Sequence, residues 1–211
     1  MTPQDITPDQ RLEIPVSRWA LWLSAFMVFL VIMSGTVRYT DGDSRYALVA
    51  SMGILEHGSM RLDPYADELD LSALNNGHYW MVFHSGDGGH LYYDYPVGTP
   101  IFSTPFVFIG RMLGMNPLQR EDDNSLQMAI AAILCVTVFL LLYRLSNLYL
   151  GDWAALLFAL AVFFGSTLSS TLGTALWSQN FQTIFVLLIL LELAEWERGK
   201  RADIRGIWLG A

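Results

Sequence analysis

The sequence predicts an all-α polytopic membrane protein with about four transmembrane helices. An extracytoplasmic loop between them carries juxtamembrane helices and a small β-hairpin. Three observations lead there. Of the 211 residues, 53% are hydrophobic and only 15% are charged, against about 25% charged in soluble domains, and mean hydropathy is +0.37. Charges are missing altogether from three runs, residues 19–37, 124–143 and 153–191. Finally, Lys and Arg gather where the cytoplasmic ends of such spans would lie. A bilayer core takes roughly 20 apolar residues per helix. The first two runs therefore suit one crossing each. The third is about twice as long and suits two, with its small, polar middle GSTLSSTLGTALWSQN as the turn.

Residues 1–18 read as a cytoplasmic tail. Arg11 and Arg18 alternate there with Asp5, Asp9 and Glu13, unlike the basic leader of a signal peptide, so 19–37 is expected to be an uncleaved anchor. The segment PVGTPIFSTPFVFIGRMLG, 96–114, holds three prolines and is uncharged only as far as Gly110. That length suits an interfacial or re-entrant segment better than a crossing. Charge placement decides the matter. Cytoplasmic loops collect Lys and Arg, and residues 195–206 contain Arg198, Lys200, Arg201 and Arg205. A crossing at 96–114 would put them outside.

The expected spans are therefore 19–37, 125–143, 153–170 and 177–194. The extracytoplasmic loop is 38–124, the cytoplasmic loop 195–206, and 207–211 begins a further span. Trp19, Trp22, Trp153, Trp177 and Trp196 fall near span ends, where indoles anchor at the interface. Gly165, Ser169 and Gly173 permit close helix contact. The lone cysteine, Cys135, lies within a span, so no intramolecular disulfide forms and the compartment is not indicated. The net charge of −8 argues against a nucleic-acid partner.

The outer loop has its own pattern. In 43–57, Tyr46, Val49, Ala50, Gly53 and Ile54 recur at helical spacing. Asp41 or Asp43 is expected to cap this helix and Gly58 to end it, with its apolar face laid flat on the membrane. GHYWMVFH and HLYYDY, joined by the turn SGDGG, read as an aromatic β-hairpin over 77–95. The loop also concentrates chemistry. Arg38, Asp41, Asp43 and Arg45 stand together just past the first span. Helix capping explains acids at such a place. A carboxylate at the edge of a low-dielectric layer also has raised proton affinity and suits a general base. His78, His84 and His90 lack a tight metal-ligand spacing and are expected to be solvent-facing or hydrogen-bonded; no metal site is assigned. The DELD run, 67–70, reads as a solvated face.

The order of these features resembles the N-terminal half of GT-C glycosyltransferases, the class of the protein O-mannosyltransferases and the lipid A aminoarabinose transferases. The resemblance rests on DGDSRYALVASMGILEHGSMRLDPY after the first span, then the aromatic hairpin, YYDYPVGTPIFSTPFVFIGRMLG, and TALWSQNFQTIFVLLILLELAEWERGK. It spans nearly the whole chain. It implies a lipid-linked sugar donor of the polyprenyl-phosphate type, an unidentified acceptor, and a place in the bacterial cytoplasmic (inner) membrane. Asp43 matches the class's acidic motif best, with Asp41 as the alternative, although the class often has two adjacent acids. Such a base accepts the acceptor's proton in an inverting transfer. Arg45 and Arg61 become candidates for the phosphate, and Trp80, Tyr93 and Tyr95 for stacking on a sugar ring. A divalent metal serves some members and not others, so no cofactor is assigned. The class has more spans than this chain, which implies a fragment.

Two rival readings stand beside this one. A non-catalytic membrane scaffold or assembly subunit would use the outer loop for docking. A transporter would place ionisable groups within its spans, and none lies deep in a span here.

Overall fold

The computed structural model describes residues 16–35, 44–69, 78–79, 82–84 and 89–199. Seven α-helices dominate them: α1 (Arg18–Met33), α2 (Ala47–His57), α3 (Gly98–Met112), α4 (Arg120–Asn147), α5 (Asp152–Gly165), α6 (Leu168–Leu172) and α7 (Ser178–Glu197). Three short strands, β1 (His78–Tyr79), β2 (Val82–His84) and β3 (Leu91–Tyr93), form one antiparallel sheet in the order β1-β2-β3.

The axis of the fold is α4. Its 28 residues span about 42 Å at 1.5 Å per residue. Among the described residues it is the one helix long and apolar enough by itself to cross a membrane, while α1, α2 and α5 are shorter apolar helices. Glu121, Asp122 and Asp123 in its first turn and Arg144 in its last match the helix dipole. Three helices, α1, α5 and α7, pack against it. Their common core includes Ala25, Val28, Cys135, Phe139, Ala159 and Phe163. At the other end a second core surrounds α2, with Tyr46, Leu48, Val49, Met52, Val107 and Ile130.

Two peripheral helices, α1 and α3, turn smaller residues inward. In α1 the buried residues are Ala25, Val28 and Ile32, while Trp22, Leu23, Phe26 and Met27 are exposed. In α3 the inward positions include Thr99, Ser103 and Gly110, and Ile101, Phe102, Phe108 and Ile109 face out. Gly110 lets Leu126 of α4 come so close that a Cβ would touch its methyl groups. A soluble helix arranges its faces the other way.

The fourth hydrophobic segment, expected at the interface, is α3. It contains Pro105, and it packs against α2, where Ser51 Oγ donates to the Pro100 carbonyl at 2.8 Å. The expected crossing at 153–170 is divided. Ser166 adopts an extended backbone conformation that ends α5. Its hydroxyl donates back to the Val162 carbonyl at 2.6 Å and accepts from the Leu168 amide at 3.2 Å. This serine closes one helix and opens the next, as side chains that compete with the backbone do. Of the small-residue triplet, Gly173 makes a close approach. A Cβ there would collide with Ile32 of α1, whereas one at Gly165 would meet nothing within 4 Å.

Two expectations for the outer loop are corrected. The helix expected over 43–57 starts at Ala47, and its N-cap is Tyr46, which makes no side-chain cap bond. Nor do its first two turns rest one face on a surface, since all seven residues from Ala47 to Gly53 are buried, whereas Leu55, Glu56 and His57 at its end are exposed. Protein encloses those two turns, because α3 and the second core pack around them. Its end is as expected: Gly58 takes φ 63°, a left-handed conformation that favours glycine. The expected first hairpin strand is two strands. β1 and β2 fold back on each other with Tyr79 opposite Val82, and β2 then pairs with β3, His84 opposite Leu91.

Candidate functional site

The most distinctive polar arrangement lies where the turn before α2 meets the head of α4. Residues 44–46 form that turn, with Ser44 and Tyr46 buried. Gln127, one turn along α4 from Asp123, is 2% exposed. Its Nε2 donates to the Ser44 carbonyl at 3.2 Å and to Asp123 Oδ2 at 2.7 Å. A backbone carbonyl only accepts, so the amide orientation is fixed. Asp123 Oδ2 must therefore be the accepting oxygen.

Asp123 is 6% exposed, and its Oδ1 is buried without a hydrogen-bond partner among the described residues. It stands in the first turn of α4, ahead of the uncharged run 124–143. Burial pushes its carboxyl up to about 8, against the opposing effects of the Gln127 hydrogen bond and the Arg45 charge. Burial thus favours the protonated form, and with Oδ2 accepting from Gln127 a proton on this carboxyl would sit on Oδ1.

A cavity of about 90 Å³ opens beside it, lined by Arg45, Tyr46, Val49, Leu69, Pro117, Leu118, Arg120 and Asp123. That volume has room for several waters. The Arg45 guanidinium lies 5.2 Å from the centre of the Tyr46 ring, within cation–π range. The segment leading into α4 is fixed by its own polar bonds. Asp122 Oδ2 accepts from the Asn116 amide at 2.8 Å, and Asn116 Oδ1 accepts from the Leu118 amide at 3.2 Å.

Of the residues expected to act, Asp41, Asp43 and Trp80 lie outside the described residues. Arg45 lines the cavity. Arg61 is exposed and elsewhere; it bridges to β3, its Nε donating to the Tyr92 hydroxyl at 3.2 Å. Tyr93 is buried in the second core with Tyr95 packed beside it, ring centres 5.7 Å apart, and neither lines the cavity. His90 pairs with Asp63, Nδ1 to Oδ1 3.4 Å. Among the described residues no three His, Cys, Asp or Glu side chains converge as metal ligands.

Asp123, Gln127 and Arg120 were not singled out in the sequence. The signal was the spacing of Asp123 and Gln127, four apart and so on one helix face, with Gln127 a long polar side chain inside an uncharged run. A second polar cluster ties α2 to α3. Arg111 Nη2 meets Glu56 Oε1 at 2.9 Å, and the Tyr65 hydroxyl donates to Glu56 Oε2 at 2.8 Å. At the far end of α4, Arg144 Nη2 donates to Glu195 Oε1 of α7 at 2.7 Å. No protein-family model matches the chain, and neither a curated protein nor a solved structure does.

Proposed function

We propose that the chain is the N-terminal part of a membrane glycosyltransferase of the GT-C type, which moves a sugar from a polyprenyl-phosphate donor to an extracytoplasmic acceptor. In this reading α1, α4, α5 with α6, and α7 form four crossings, and α3 lies at the outer interface. The large apolar side chains on the outer faces of α1, α3 and α5 support it, because lipid accepts them at no cost and small inward residues allow close packing. The bacterial cytoplasmic membrane is the proposed location.

One observation carries the catalytic part. Gln127, buried at the head of the membrane-length helix, grips the carbonyl of Ser44, the residue that follows Asp43. The chain leaving the acidic motif is thereby fixed beside a cavity that presents Arg45 and Arg120. Asp43, or Asp41 in its place, takes the proton of the acceptor hydroxyl as that oxygen attacks the anomeric carbon. The bond from that carbon to the phosphate oxygen breaks, and the lipid phosphate departs. Its negative charge grows as it leaves, so cations near the motif favour the transition state.

The test uses the full-length protein in proteoliposomes with a polyprenyl-phosphate-linked sugar. Asp43→Asn is expected to abolish transfer while expression and thermal midpoint stay at wild-type levels, with Asp41→Asn measured alongside. Undiminished transfer by both variants overturns the assignment, and the outer loop is then better read as a docking element of a scaffold.

A further inference from the structure

We draw no further inference here: the strongest candidate, the apolar outer face of α3 with Ile101, Phe108, Ile109 and Met112, carries nothing beyond the membrane reading already proposed, since nothing among the described residues shows what covers it.

Discussion

Gln127 reaches across 83 positions of sequence to hold Ser44 by its backbone carbonyl, at 3.2 Å, while its same Nε2 holds Asp123 at 2.7 Å. One buried amide thus sets both the start of α2 and the protonation site of the only carboxyl facing the cavity among the described residues. Replacing Gln127 with Leu preserves bulk and removes both bonds. The Ser44 carbonyl still accepts from the Ala47 amide at 3.2 Å, so the loss falls mainly on Asp123 Oδ2. Leaving such a group buried costs about 2 kcal/mol. The expected result for Gln127→Leu in detergent is a lower thermal midpoint, and in the full-length protein a fall in sugar transfer of at least tenfold. A variant equal to wild type in both measurements would show that the grip on Ser44 has no consequence.

The raised pKa of Asp123 has a signed effect on stability. Its ordinary value of 3.8 rises to about 8 in the folded chain. Between those values the folded state keeps a proton that the unfolded state releases. The folded state therefore binds more protons, and this group's contribution declines as pH rises from about 4 to about 8, by at most about 1.4 kcal/mol per unit. Below about 4 the contribution is fully present; above about 8 it is gone. Other groups titrate in the same window, so the informative quantity is the difference between wild type and Asp123→Asn. The denaturation midpoint of wild type relative to Asp123→Asn should fall steadily between pH 5 and pH 8. Parallel pH profiles would show that Asp123 is already ionised at neutral pH.

Much of the helical layout is legible in the sequence, because uncharged runs report burial in protein or lipid alike. Residues 124–143 gave α4 directly, and the polar stretch within 153–191 marked the break before α7. What escaped was direction. The apolar spacing in Tyr46, Val49, Ala50 and Gly53 announces a helix, but periodicity does not tell whether its remaining faces meet water or other helices. Here α3 and α4 supply partners from far along the chain, and the first two turns of α2 are enclosed. The same limit hid the cavity. Asp123 looks like one of three acids favouring a helix N-terminus, and only the packing of the turn at 44–46 against α4 separates it from Glu121 and Asp122. Tyr93 looked like a sugar platform because strand aromatics are amphipathic; contact with the second core decides its placement.

Gly165 and Gly173 look alike in the sequence and should respond oppositely to alanine. A Cβ on Gly173 collides with Ile32 Cδ1 and the Ser169 carbonyl, while one on Gly165 meets nothing within 4 Å. Overpacking of this kind costs about 1–3 kcal/mol. Gly173→Ala is expected to lower the thermal midpoint clearly, and Gly165→Ala to leave it unchanged or slightly raised, since glycine is the poorer helix former. Adding Ile32→Val to Gly173→Ala should recover part of the loss, because it removes the colliding methyl group. Similar effects from the two alanines would mean that α1 and α6 do not approach as described.

The proposed topology is open to a direct test at the two ends of α4. Gln119 is exposed and caps the helix without a side-chain bond, so Gln119→Cys should be silent for folding. Lys200 belongs to the basic stretch that charge asymmetry assigns to the cytoplasm. The link between Arg144 and Glu195 places the end of α4 beside the end of α7, so that basic stretch should share a side with Arg144. Cys135 is buried and is replaced by Ser to give a clean background. In intact cells a membrane-impermeant maleimide is expected to label Gln119→Cys and to spare Lys200→Cys, which becomes reactive once the membrane is opened. Labelling of both in intact cells would require an even number of crossings between them and overturn the four-crossing topology; a Gln119→Cys that is spared would move the outer loop, and the acidic motif with it, to the other side.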